Sequence, residues 1–229
     1  MRTKTSVIGV LLTLCALPLF AGDSANFLNL GFSDTGRYFM FAQYGIREST
    51  SFPYADLFVV DVPTNKFVSG GVKHGEYQDP AEPGYSGEGA VFRLYRHNLP
   101  LVERYRIDHL DTGRILYLLI DGEKPKELLE FRDFITGVQY RVRLVQHSFG
   151  SGKTVRASFH INLTVTSKSG VRTFVVGLPN YERKGVKEYR IRQIILSPDA
   201  KSLVFVIEKG EADQAGADIR YMVETVRIF

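Results

Sequence analysis

Two segments near opposite ends of the chain repeat one pattern: an apolar residue, a serine, a tight acidic turn, a basic residue and then a strand. The first runs Phe32-Ser33-Asp34-Thr35-Gly36-Arg37 into Tyr38-Phe39-Met40-Phe41-Ala42. The second runs Leu196-Ser197-Pro198-Asp199-Ala200-Lys201 into Ser202-Leu203-Val204-Phe205-Val206-Ile207. Asp with Gly or Pro supplies the turn angles, and the β-branched and aromatic residues that follow suit a pleated strand. Asp56-Leu57-Phe58-Val59-Val60-Asp61-Val62 adds a further strand after the first segment. A chain punctuated this way folds as consecutive antiparallel strands joined by short turns. Leu203 to Ile207 is an unbroken apolar run, the mark of a strand buried on both faces, and so belongs near the centre of the fold.

The remaining segments follow the same logic. Strands are predicted over 27–30, 38–44, 56–62, 67–73, 114–120, 128–134, 138–146, 157–167, 171–177, 193–196, 202–208 and 219–229, with glycine-containing turns between many of them. Pro63-Thr64-Asn65-Lys66 closes the third with proline pre-setting the first turn angle. Residues 75–89 are rich in Gly, Pro, Glu and Tyr and read as an exposed loop. One helix is predicted near 90–98: Ser86-Gly87-Glu88-Gly89 offers its N-cap, and Val91, Leu94 and Tyr95 recur at helical spacing. Pro100 should end it, with room for a short second turn to Arg106.

Residues 1–21 read as a secretory signal peptide: Arg2 and Lys4, an apolar stretch from Val7 to Leu14, then Pro18-Leu19-Phe20-Ala21 ahead of Gly22. Cleavage is expected near Ala21. The one cysteine, Cys15, lies within this leader; Leu12-Thr13-Leu14-Cys15 faintly resembles a lipidation site, but Leu14 stands where a small residue is usual. The mature chain then holds no cysteine, which removes disulfides, thiol catalysis and thiolate metal sites together. No later segment approaches the roughly 18 apolar residues of a spanning helix. A single β-rich domain over 22–229 is expected, exported to the periplasm or beyond.

Without the two basic leader residues, 27 basic side chains face 25 acidic ones, a balance that argues against a nucleic-acid partner. Arg132, Arg141, Arg143, Arg156 and Arg172 are spread over predicted strands; Arg141 and Arg143 fit the solvated face of a sheet, with Val142 and Leu144 inward.

Several motifs mimic chemistry without completing it. Asp34-Thr35-Gly36 and Asp111-Thr112-Gly113 suggest an aspartic-protease pair, where two carboxylates share a proton. Arg37 and Arg114 follow where such enzymes place a small residue, so tight turns fit better. Gly150-Ser151-Gly152-Lys153-Thr154 imitates the end of a phosphate-binding loop, but His147 stands where its first glycine belongs and a strand follows instead of a helix. His74, His97, His109, His147 and His160 form no metal-binding spacing. Ending on Phe229 invites comparison with an outer-membrane barrel, yet Arg227 would fall on its lipid face. The sequence nominates no catalytic, cofactor-binding or metal-ligating residue, and no cofactor.

Phe131-Arg132-Asp133-Phe134 with Gly137 and Tyr140-Arg141-Val142, Gly177 through Val186, Ser197-Pro198-Asp199 and Arg220 through Thr225 together resemble a family of predicted secreted bacterial proteins classed as a domain of unknown function. The resemblance covers the mature chain; it implies export and transfers no site residues. The two terminal segments also resemble blades of TolB-type and prolyl-oligopeptidase-type β-propellers. Asp34, Asp111 and Asp199 are 77 and 88 residues apart, roughly two blade lengths each.

The expected fold is therefore all-β and mainly antiparallel, built of blade-like meanders as a small or irregular propeller or a sandwich, with one helix. The expected function is non-catalytic binding of a protein or envelope component, with the 75–89 loop as recognition element. The alternatives are a hydrolase with its site at one end of the scaffold, or an outer-membrane barrel.

Overall fold

The computed structural model describes residues 23–212 and 217–229. The expectations for the leader, including Cys15 and the Ala21 cleavage point, lie outside the described residues. Thirteen strands are described: β1 Asn26–Ser33, β2 Tyr38–Ile46, β3 Pro53–Asp61, β4 Lys66–Glu76, β5 Ile107–Asp108, β6 Arg114–Leu118, β7 Leu128–Arg132, β8 Gln139–Phe149, β9 Arg156–Ser167, β10 Gly170–Lys184, β11 Val186–Leu196, β12 Ser202–Ala212 and β13 Ala217–Arg227. Helices α1 (Gly89–Arg96) and α2 (Leu99–Tyr105) lie between β4 and β5.

The strands form three antiparallel sheets. The N-terminal sheet is ordered β4-β3-β2-β1-β5, the central sheet β13-β12-β11-β6 and the outer sheet β10-β9-β8-β7. Strand alternation explains how they stack. Met40, Ala42, Leu57 and Val59 face α1 and α2 from one side of the N-terminal sheet. Phe39, Phe41 and Val60 leave its other side and meet Val204, Val206 and Val223 of the central sheet. Leu203, Phe205 and Ile207 leave the opposite side of the same β12 and pack on Val142, Ile161 and Leu163 of the outer sheet. Burial on both faces of the 203–207 run is thus literal: β12 runs through the middle layer. The fold is all-β and mainly antiparallel, and no closed barrel forms among the described residues, which sets aside the outer-membrane alternative. Its layers are those of a sandwich, with helices over the free face of the N-terminal sheet.

The two repeated sequence segments become equivalent turns. The Ser33 hydroxyl accepts the Tyr38 N–H at 3.0 Å, and the Ser197 hydroxyl accepts the Ser202 N–H at 2.9 Å. The Gly36 and Ala200 N–H groups donate to the Ser33 and Ser197 carbonyls, each at 2.8 Å. Gly36 and Ala200 occupy the same left-handed position, φ 69° and 57°. One turn joins β1 to β2 in the N-terminal sheet and the other β11 to β12 in the central sheet, and they touch: a Cβ on Gly36 would lie 3.1 Å from the Asp199 carboxylate.

Three expectations need correction. The helical segment is two helices, because Pro100 sits in the first turn of α2, where its missing N–H costs nothing, instead of only ending α1. No side chain caps α1: Glu88 is its N-cap residue, and the Ser86 hydroxyl bonds only the Glu88 N–H, at 3.3 Å. Asp111-Thr112-Gly113 does lie between two strands, β5 and β6, but the tight turn there is at His109-Leu110, closed by the Asp111 N–H to the Asp108 carbonyl at 3.1 Å, and the motif itself follows it into another sheet.

Candidate functional site

The central sheet is the innermost layer, and its edge strand β13 is recessed between the N-terminal sheet above and the outer sheet below. Period-2 pleating turns the backbone groups of residues 219, 221, 223 and 225 toward this free edge. An unprotected edge recruits other strands, and here most of it is covered from within. Ile219 exchanges hydrogen bonds with the start of the described chain, donating to Asp23 at 3.1 Å and accepting from Ala25 at 3.0 Å. The Tyr221 N–H donates to the Gln43 side-chain carbonyl at 2.7 Å, and the Thr225 N–H to that of Asn65 at 2.8 Å. Val223, between them, has no such partner among the described residues.

Asp23 is held in place by a buried polar knot. Its carboxylate accepts from Arg220 at 2.7 Å, Arg47 at 3.0 Å and Tyr54 at 3.1 Å. The Arg47 and Arg220 guanidinium groups lie 4.1 and 5.3 Å from the Tyr54 ring centroid. Burial raises the Tyr54 phenol well above its ordinary pKa, so the ring serves as a neutral platform for both cations.

Val223 lies in the floor of a cleft of about 840 Å³. One wall is aromatic: Phe67, Phe58 and Phe41 follow one another at centroid separations of 5.6 and 4.7 Å. Phe27 links Phe41 to Tyr221 at 5.6 and 5.7 Å. The opposite lip is Leu178 and Tyr181 of β10. Phe67 and Tyr181, at the two lips, are 51% and 55% exposed. It is their place on one cleft, with Phe58, Phe41 and Leu178, that matters, because a contiguous apolar patch rimmed by polar residues is what marks a binding groove.

The foot of the cleft is charged. Glu224 is 5% exposed; its carboxylate accepts from the Asn65 amide at 2.5 Å and lies 3.7 Å from the Arg183 guanidinium. Burial lifts its pKa above the ordinary carboxylate value, against the opposing pull of the Asn65 bond and the Arg183 charge. The Arg183 guanidinium lies 4.9 to 5.9 Å from the ring centroids of Tyr181, Phe159 and Tyr189, and its buried Nη1 has no hydrogen-bond partner among the described residues. With Lys66 and Lys209 the cleft offers three cations against one carboxylate; Lys209 also meets Glu211 at 2.8 Å.

The 75–89 segment is placed differently. Its first two residues extend β4, and the rest folds back on the β2–β3 connection through bonds from Tyr77 to Pro53 (3.0 Å) and from Ala81 to Ser51 (2.8 Å). It walls a second, smaller concavity of about 450 Å³. There the Arg93 guanidinium lies 4.4 Å from the Tyr77 ring centroid and 3.3 Å from Asp79, and Tyr85 projects into solvent.

The motifs weighed from sequence assemble no paired carboxylates, although the Phe32 N–H donates to the Asp111 carbonyl at 2.8 Å and so brings the two Asp-Thr-Gly segments to one end of the fold. Asp34 pairs with Arg106 at 2.6 Å, whereas the neighbouring carboxylate that acts on Asp111 is Asp108. Residues 150–154 form a short turn between β8 and β9. His74 meets Asp56 at 2.7 Å, His97 the Arg93 carbonyl at 2.7 Å, and His109 the Tyr95 hydroxyl at 2.7 Å. Among the described residues no group of three His, Cys, Asp or Glu side chains is arranged to hold a metal. Arg141 and Arg143 are exposed and Val142 and Leu144 buried, as strand alternation requires. Arg156 pairs with Glu182, and Arg172 donates to the Ile228 carbonyl at 3.0 Å.

The cleft residues were not singled out from sequence. One signal was present: Met222 and Val226 share a strand face that packs on the apolar core, and Glu224 sits between them on that face. A carboxylate in an apolar register is an anomaly that asks for a partner.

No curated protein and no solved structure matches the chain. The family described as "Predicted secreted protein (DUF2259)" matches residues 40–227, most of the chain. The chain belongs to this family of predicted secreted proteins.

Proposed function

We propose that the protein is exported under the direction of residues 1–21, cleaved near Ala21, and acts in the periplasm or outside the cell as a non-catalytic binding protein. The family's description supports export, and among the described residues no helix is long and apolar enough to cross a membrane. The ligand seats in the cleft beside β13. It is an anion with a flat apolar part: the part stacks between Phe67 and Tyr181, the charge faces Lys66 and Arg183, and an oxygen accepts the Val223 N–H.

The observation that carries this reading is the recessed β13 edge, closed by side-chain amides at Tyr221 and Thr225 and left open at Val223 between them. The spacing admits one acceptor and blocks a whole added strand. The 75–89 loop, with its own smaller concavity, is a secondary recognition element. A hydrolase reading would rest on Glu224, the only carboxylate lining the cleft among the described residues, but acid–base hydrolysis needs a second group, and no described His lines it.

Anilinonaphthalene sulfonate, a rigid aromatic anion, is the probe. The folded protein is expected to bind it saturably at one site with enhanced fluorescence. Phe67→Ala with Tyr181→Ala should weaken binding by about tenfold, with the thermal transition preserved because both rings are half in solvent. Wild-type affinity in that double variant would overturn the cleft as the site.

A further inference from the structure

The turn between β7 and β8 presents two large apolar side chains to solvent on a rigid mount. Phe134 is 92% and Ile135 77% exposed. Exposure of this kind in a loose loop would mean little, but this turn is fixed. The Asp133 carboxylate accepts from both terminal guanidinium nitrogens of Arg114, Nη1 and Nη2, at 2.7 Å each, from the Ile135 N–H at 3.0 Å and from the Thr136 hydroxyl. The Gly137 N–H donates to the Asp133 carbonyl at 2.7 Å, and the Asp133 N–H to the Val138 carbonyl at 2.8 Å. A buried carboxylate paired with a part-exposed guanidinium thus holds two hydrophobic side chains in water, an arrangement that core packing does not require.

The surroundings are cationic. A shallow concavity beside the turn is lined by Arg132, Thr136, Lys168 and Phe229, and no acidic side chain lines it among the described residues. The Arg172 guanidinium lies 5.6 Å from the Phe229 ring centroid. Two projecting side chains are too few for a stable protein interface, which buries about 800 Å² on each partner. They suffice for shallow insertion at a bilayer surface, where apolar burial adds to attraction between nearby cations and anionic headgroups.

We propose that this end of the outer sheet docks on an anionic lipid surface. Phe134 and Ile135 enter the interfacial zone while Arg132 and Lys168 meet lipid phosphates. This surface is separate from the cleft, so either reading stands without the other.

Flotation of the folded protein with vesicles tests it. The protein should float with phosphatidylcholine vesicles containing about one third phosphatidylglycerol, and much less with phosphatidylcholine alone. Phe134→Ser with Ile135→Ser should lower the partition coefficient about tenfold or more, with an unchanged thermal transition because both side chains are in solvent. Arg132→Gln with Lys168→Gln should erase the preference for anionic vesicles. No flotation with anionic vesicles, or wild-type flotation of the serine variant, overturns the proposal. So does a dimer in sedimentation that the serine variant dissociates without any vesicle binding, since a second copy would then be the occupant.

Discussion

Asp133 and Glu224 are both buried carboxylates, and their partners drive them in opposite directions. At Asp133 the Arg114 hydrogen bonds prevail over desolvation and hold the carboxyl well below its ordinary value of 3.8. At Glu224 desolvation wins, because the Arg183 contact is long and the one close partner, Asn65, is neutral. A depressed folded-state pKa gives stability that is present above the unfolded value and lost as pH falls toward the folded one. Asp133→Asn is therefore expected to cost about 1–2 kcal/mol at neutral pH, less than for a fully buried pair because Arg114 stays in contact with water. It should also flatten the loss of stability below about pH 4. Urea denaturation across that range checks both; an unchanged acid slope would remove Asp133 from the account. The same residue links stability to the membrane surface, because it fixes the turn that carries Phe134 and Ile135.

At the scale of elements, the paired turns offer an internal comparison. Gly36 and Ala200 hold the same left-handed conformation, where a Cβ costs about 1–2 kcal/mol. Ala200→Gly should therefore stabilise by about 0.5–1 kcal/mol once the added freedom of the unfolded chain is subtracted. Gly36→Ala should destabilise, both through its φ and through the approach to Asp199. Effects of the same sign at the two sites in thermal melts would contradict the equivalence of the turns. These turns were legible from sequence because Ser, Asp and Gly or Pro act within a few residues. The first half of β11 was not. Register shifts between Val186 and Glu188 and between Ile191 and Gln193 space its buried residues as Val186, Tyr189, Ile191 and Ile194. Bulges of this kind break the two-residue period by which a strand is recognised. The join of α1 to α2 was half legible, because proline suits a helix start as well as a helix end.

At the scale of the molecule, the layer order was foreshadowed by one run, Leu203 to Ile207, which placed β12 at the centre. The cleft had no comparable signal. Its facing lips, Phe67 of β4 and Leu178 of β10, are more than a hundred residues apart in sequence, and it exists because the central sheet ends short of its neighbours on that side. Recession of an edge is a property of three sheets together, and no local pattern encodes it. The loop at 75–89, conspicuous in composition, borders the smaller concavity instead. The most direct measurement of the account is therefore a backbone amide chemical-shift map of the protein titrated with anilinonaphthalene sulfonate. The largest shifts are expected at Val223 and its neighbours on β13 and at the Phe67 and Tyr181 lips. Shifts confined to residues 75–89, or scattered with no cluster at Val223, would contradict it.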